Sequence, residues 1–212
     1  MAARSGTALD HVAGPGRRPR RADVNAFRRE SELPRDLAGR VLRGDDHAIG
    51  ARRVRSRVPT APPLTLAGHT TPASAQWEAR LKEPPLAGHV EITGYVDEAR
   101  RRALYAEARM LVLPSYEEGF GLPVLEAMAC GVPVVVSSRG SLPEVAGPAA
   151  DPVDPDDVEG LAARMTALLD DRQAERAARL GLEQAARYNW PACARAARAA
   201  YASAINVHAH RG

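Results

Sequence analysis

The spacing of apolar and polar positions divides the chain near Pro63. From there on, short apolar runs alternate with helical spacings. Leu64-Thr-Leu-Ala67 reads as a short buried strand, and Ala75 to Leu81 as a helix. Val90 to Val96 is a second strand, ending near Gly94. Asp97 is placed to cap a helix running to about Arg109, with Ala99, Ala103 and Ala106 on one face. A third apolar run, Met110-Leu-Val-Leu-Pro-Ser115, leads into a glycine turn, a helix-like segment from Leu122 to Ala129, and a β-branched run from Val132 to Val136. Ser141 to Val145 predicts a short helix or turn. Asp154-Pro155 predicts a helix start, with Asp156 and Asp157 in its first turn and Val158, Leu161, Ala162, Met165, Leu168 and Leu169 on its apolar face. Arg172 to Tyr188 and Trp190 to about Ile205 predict two more helices. Strands and helices alternating at this size imply an α/β fold, a Rossmann-like parallel sheet with helices on both faces.

Residues 1–62 read differently. Apolar periodicity is weak, Gly14-Pro-Gly-Arg-Arg-Pro-Arg-Arg21 is rich in breakers, and only patches such as Leu37 to Leu42 suggest a helix. The stretch holds 14 arginines against 7 acidic residues, a net +7, whereas the remainder carries −4 of the overall +3. The expected organisation is a basic tail over 1–62, disordered or partly helical, a folded domain over 63–207 and a short tail over 208–212. Such an arm has the charge to meet nucleic acid or an anionic membrane. Phe27 is its one aromatic residue, too little for stacking on bases, so no nucleic-acid partner is expected.

The chemistry concentrates at the glycine turn. Glu118 and Glu126 flank Gly119-Phe120-Gly121 and lie eight positions apart. Gly119 and Gly121 allow a backbone conformation closed to other residues and a close approach by a ligand. Leu122-Pro123 opens the helix, whose first N–H groups favour an anion such as a diphosphate. Glu126, about one turn in, can accept hydrogen bonds from two neighbouring hydroxyls, as a ribose offers. Gly94, with Tyr95 after it, stands at a strand end where backbone can approach a base. His69 follows the strand end at Gly68, where ligands gather in open α/β sheets. A dinucleotide-binding oxidoreductase fits less well, because its glycine pattern needs a small third residue where this chain has Val124. Asp154 and Asp156 have the spacing of a metal-binding pair but are better read as a helix start. His208 and His210 are terminal, so no metal site is expected.

The segment from about Pro63 to Tyr188 resembles the C-terminal, donor-binding domain of family-4 retaining glycosyltransferases of the GT-B fold. Glu118-Gly-Phe-Gly-Leu-Pro-Val-Leu-Glu126 matches that family's Glu-x7-Glu motif. Leu66-Ala-Gly68, Val90 to Val96, Leu104-Tyr-Ala-Glu-Ala108, Leu113-Pro-Ser115 and Leu142-Pro-Glu-Val145 agree in order and spacing. The resemblance implies that Glu126 binds the nucleotide ribose. It also implies that Glu118, the candidate catalytic residue, and the Gly119-Phe120-Gly121-Leu122 backbone meet the donor sugar and diphosphate. The implied reaction is retaining transfer of a hexose from a donor such as GDP-mannose or UDP-glucose to a glycan or lipid-linked acceptor, without a cofactor.

Two parts of that pattern are not found. The family's arginine and lysine that stabilise the leaving diphosphate have no counterpart before Pro63, although Arg52, Arg53, Arg55 and Arg57 stand in roughly the right region. At 212 residues the chain is also short of two doubly wound domains. The expectation is therefore a truncated enzyme, with a noncatalytic or decayed nucleotide-sugar binder as the alternative. No run approaches a membrane span, no secretory signal is evident, and Cys130 and Cys193 imply no disulfide framework. Together these point to a cytoplasmic protein, at most peripheral to the inner face of the membrane; basic residues that are all arginine apart from Lys82, with abundant alanine, suggest a GC-rich bacterial genome.

Overall fold

The computed structural model describes residues 45–68 and 75–209, and their side chains over 50–68 and 78–202. His69, His210 and the patch Leu37 to Leu42 lie outside the described residues, and so does the side chain of His208. In order, the elements are α1 (Asp45–Arg57), β1 (Leu64–Ala67), α2 (Ala75–Leu81), β2 (Val90–Gly94), α3 (Glu98–Glu107), β3 (Leu111–Leu113), α4 (Leu122–Ala129), β4 (Val134–Val136), α5 (Leu142–Ala146), α6 (Val158–Ala167), α7 (Asp171–Ala185) and α8 (Trp190–Ala209), with a 3-10 turn at Gly147–Ala149.

β1 pairs with β2 in parallel, and β3 with β4 in parallel. Ser137 adds a parallel bridge to Val153. The two pairs share one interior, because successive residues of β3 and β4 point to opposite faces. Val112 and Val135 pack with Leu64, Leu66, Leu161 and Met165 under α1 and α6. Leu111, Leu113, Val134 and Val136 pack with Val124, Met128, Leu142 and Ala185 under α4, α5 and α7. Helices on both faces explain why these strands are apolar at every position.

Helix α1 lies inside the stretch expected to be a tail, and it belongs to the folded body. Gly50, Ala51 and Val54 form its buried face against α6. A Cβ on Gly50 would stand 2.8 Å from Leu161 Cδ2, so close approach selects small residues here. The apolar signal was weak because the interface is tight.

Other expectations shift by shorter distances. The buried face of α3 is Leu104 and Tyr105, continued by Ala108, and Ala99 is exposed. Helix α6 starts at Val158, with Asp157 capping Gly160 N–H at 2.8 Å. Asp154 instead closes a turn on the Asp156 N–H. Leu168 and Leu169 follow the helix and pack on the core from outside it. Helix α8 runs to Ala209, through part of the stretch expected as a terminal tail.

Candidate functional site

β1 and β2 point the same way, and so do β3 and β4. Pro63, Leu64, His89 and Met110, at the N-terminal ends of β1 to β3, line one small apolar cavity of about 60 Å³. The glycine turn follows the C-terminal end of β3, at the opposite edge. Ligands gather at that edge in open α/β sheets.

The turn is held by the loop after β4. Ser137 Oγ donates to the Ser115 carbonyl at 2.5 Å, and Ser141 Oγ donates to the Glu118 carbonyl at 2.9 Å. Gly140, with φ +58°, lies so near that a Cβ would sit 3.0 Å from the Glu118 amide nitrogen and carbonyl oxygen. Gly121 has φ +90°, and a Cβ there would come within 2.7 Å of Leu142 Cδ2. Both conformation and packing therefore require glycine at 121. Gly119 does not use that freedom: its φ is not positive, and an added Cβ would meet nothing. Its smallness leaves open space above the turn rather than relieving strain.

Helix α4 begins at Leu122 with Pro123 in its first turn, and no side chain caps its N-terminus. Such an end offers N–H groups to an anion, favoured by about 0.3–1 kcal/mol at a surface. Phe120 and Leu122 stand exposed beside it, and the Phe120 ring meets Tyr188 edge-on at 6.0 Å. Glu118 is half-buried at the turn's entrance. Gly94, φ +67°, closes β2 at its C-terminal end, and exposed Tyr95 follows it.

Glu126, half-buried on α4, faces α3. Its Oε2 accepts from the Tyr105 hydroxyl at 3.0 Å, and its Oε1 lies 3.6 Å from the Arg101 guanidinium. Burial first, and then the Glu126 carboxylate, push the Tyr105 phenol far above its ordinary range. It therefore stays a donor. Arg101 and Tyr105 are one helical turn apart, a spacing readable in the sequence but not used there. Ser137, Gly140 and Ser141 also escaped the sequence reading, since short polar residues in a loop carry no periodicity.

The acids at 154 and 156 have structural partners. Asp154 pairs with Arg139 at 2.9 Å, and Asp156 accepts from the Tyr116 hydroxyl at 2.5 Å. The arginines of α1 do not reach the turn. Arg52 pairs with Glu83, Arg53 and Arg57 pair with Glu159, and Arg55 donates to the Ala61 carbonyl and contacts the His89 ring. Ala61 and His89 mark the far edge of the sheet.

Comparison with known proteins places this arrangement. Over 107 residues the chain is 49% identical to the O-antigen chain mannosyltransferase B of Escherichia coli, which covers 50% of this chain and 28% of that one. It is 35% identical over 169 residues to the MMP alpha-(1->4)-mannosyltransferase of Mycolicibacterium hassiacum, 77% of this chain and 41% of that one. The chain thus spans less than half the length of either relative. Among solved structures, the C-terminal domain of a glycosyl transferase group 1 family protein (LpcC) from Francisella tularensis superposes with a TM-score of 0.67 at 20% identity, covering 86% of this chain and 97% of that domain. The architecture is accordingly the Rossmann-like C-terminal half of a GT-B fold. Residues 47–171 match the family described as glycosyl transferases group 1, and the chain belongs to that family.

Proposed function

We propose that this chain binds a nucleoside-diphosphate sugar at the C-terminal edge of its sheet and supplies the donor half of a retaining hexosyltransferase. The observation that carries the reading is the placement of Glu118 and Glu126 on either side of a clamped glycine turn whose helix has an uncapped N-terminus. Glu126 accepts from the ribose hydroxyls. The Gly119-Phe120-Gly121-Leu122 backbone receives the diphosphate, where developing negative charge meets fixed N–H dipoles. Glu118 faces the sugar, and Gly94 and Tyr95 border the base. The contribution of His69 is part of the same proposal.

Two relatives named as mannosyltransferases support mannose as the transferred hexose, with GDP-mannose as the donor and a glycan or lipid-linked acceptor. The reaction needs no metal or cofactor, and the protein works in the cytoplasm, at or near the inner face of the membrane. No helix among the described residues is long and apolar enough to cross a membrane. A second reading, binding without turnover by this chain alone, is favoured by the arginines of α1, which are engaged at the edge away from the turn. Calorimetric titration with GDP-mannose and UDP-glucose tests donor binding. A radiolabelled-donor assay with mixed acceptors tests transfer. Binding with little or no transfer is the expected result of that second reading, because the arginines of α1 are engaged away from the turn and leave the departing diphosphate without their charge. Absence of binding to both donors would overturn the proposal.

A further inference from the structure

Tyr105 reaches the proposed ribose contact from another helix. It is buried beneath the site, on α3, with its ring among the residues under α4. A tyrosine serving only as packing would gain nothing from its hydroxyl. Here the hydroxyl points out of the core to Glu126 Oε2, at 3.0 Å. The Pro123 carbonyl is also near, at 3.4 Å. One proton serves one strong bond, and an ionised carboxylate at the shorter distance is the stronger acceptor.

The consequence for Glu126 is geometric. A glutamate on an open helix face has three side-chain torsions to settle, and ordering it costs rotamer entropy. The Tyr105 bond fixes one carboxylate oxygen before any ligand arrives. Arg101, on the exposed side of the same carboxylate, stands 3.6 Å from the other oxygen, so its attraction is screened by solvent. A carboxylate offers about four lone-pair directions. Tyr105 uses one, which leaves enough for two adjacent hydroxyls.

We infer that Tyr105 is a positioning residue: its hydroxyl preorganises Glu126 as a ribose-diol acceptor, and so gives the site its preference for ribonucleotides over 2′-deoxyribonucleotides. This rests on the proposed role of Glu126. It adds the residue that sets the geometry and the discrimination that results. The phenol's strongly raised pKa agrees, since the donor does not switch off in ordinary buffers.

The test compares GDP with 2′-deoxy-GDP, and UDP with 2′-deoxy-UDP, on the full chain by calorimetry. The parent is expected to prefer the ribonucleotide by about tenfold, as for loss of one hydrogen bond to a charged acceptor. Tyr105→Phe keeps the ring and removes the donor. It is expected to weaken ribonucleotide binding by about tenfold and deoxyribonucleotide binding much less, so the ratio falls toward about two. A merely structural role would weaken both together and leave the ratio intact, and that result overturns the inference. In the Glu126→Gln background, Tyr105→Phe should have little further effect on the ratio; an undiminished effect there also overturns it. Should Tyr105→Phe fail to fold, Arg101→Gln, on the exposed side, decides: its pair with Glu126 is screened, so the ratio should stay within about twofold, and a collapse of the ratio toward one gives the positioning to Arg101 and overturns the inference. A parent that binds both nucleotides equally removes Glu126 from the ribose and sinks the site reading together with this inference. A parent that discriminates while Tyr105→Phe discriminates equally sinks the inference alone.

Discussion

At the N-terminal edge of the strands, arginines are used as braces. Arg109 donates to the carbonyls of Leu168 and Leu169 and pairs with Asp171, and Arg55 donates to the Ala61 carbonyl. Between them lies a small apolar cavity. At the C-terminal edge the backbone is braced by serine hydroxyls and a glycine contact, while Phe120, Leu122, Tyr95 and Tyr116 stand exposed. One edge spends its polar groups on closing itself. The other fixes its backbone and leaves apolar rings, a helix N-terminus and a carboxylate facing outward. Large exposed apolar side chains beside an uncapped helix end mark a surface that expects something to cover it.

If the contrast is sound, changes at the two edges should separate stability from binding. The largest effect is expected from Leu161→Ala, beneath α1 on the closed side. Leu161 is 1% exposed and also contacts the face around Gly50. Urea unfolding should show a loss of about 2–5 kcal/mol, with donor affinity of the folded fraction unchanged. A parallel loss of affinity would mean that the edges are mechanically coupled.

Glu126→Ala should do the reverse. Donor affinity should fall by more than about tenfold, since bonds to a charged acceptor are worth about 1.5–3 kcal/mol, while the melting temperature moves little. Equal affinities by calorimetry would remove Glu126 from the site.

Gly121→Ala should affect both properties, because the turn is structure and site at once. Placing a side chain at φ +90° costs about 1–3 kcal/mol, and its Cβ meets Leu142. Stability unchanged alongside intact binding would show that the turn relaxes freely. The smallest effect belongs to Arg57→Ala on α1. Its pair with Glu159 is exposed, so a change of at most about 1 kcal/mol is expected, with no change in donor binding. Marked loss of binding would return this arginine to the list of diphosphate partners.

The turn edge was more legible in the sequence than the closed edge, and the reason is physical. Gly-Phe-Gly, Pro123 and the β-branched runs each carry a strong local preference, so strand, turn and helix could be placed from residue types. Helix α1 was assigned to the tail rather than the folded body because Gly50 and Ala51, which meet α6, are small, and its surface is arginine-rich. Close packing there erased the apolar stripe on which periodicity depends. The start of α6 was misplaced because Asp154 and Asp157 are equally plausible caps, and only the fold decides between them. Tyr105 was hidden for a different reason. The sequence shows a tyrosine on a helix, but its partner is 21 residues away on another helix. The two glutamates were singled out by their motif, whereas the groups that steady them come from elements placed only by tertiary packing.

The strands β3 and β4 are apolar at all six of their positions. A slip by one residue would still bury only hydrocarbon, so the interior itself gives almost no instruction about register. That instruction is supplied at the ends. Leu111 N–H meets the Pro133 carbonyl, Ser137 N–H meets the Leu113 carbonyl, and the Ser137 hydroxyl meets Ser115. These bonds act as index pins, converting an ambiguous ladder into a fixed count of residues up to Glu118. The chain can change which aliphatic side chains fill the sheet, provided their volume is kept. A single insertion between Leu113 and Glu118 would leave the interior full and move the acid out of alignment with its turn.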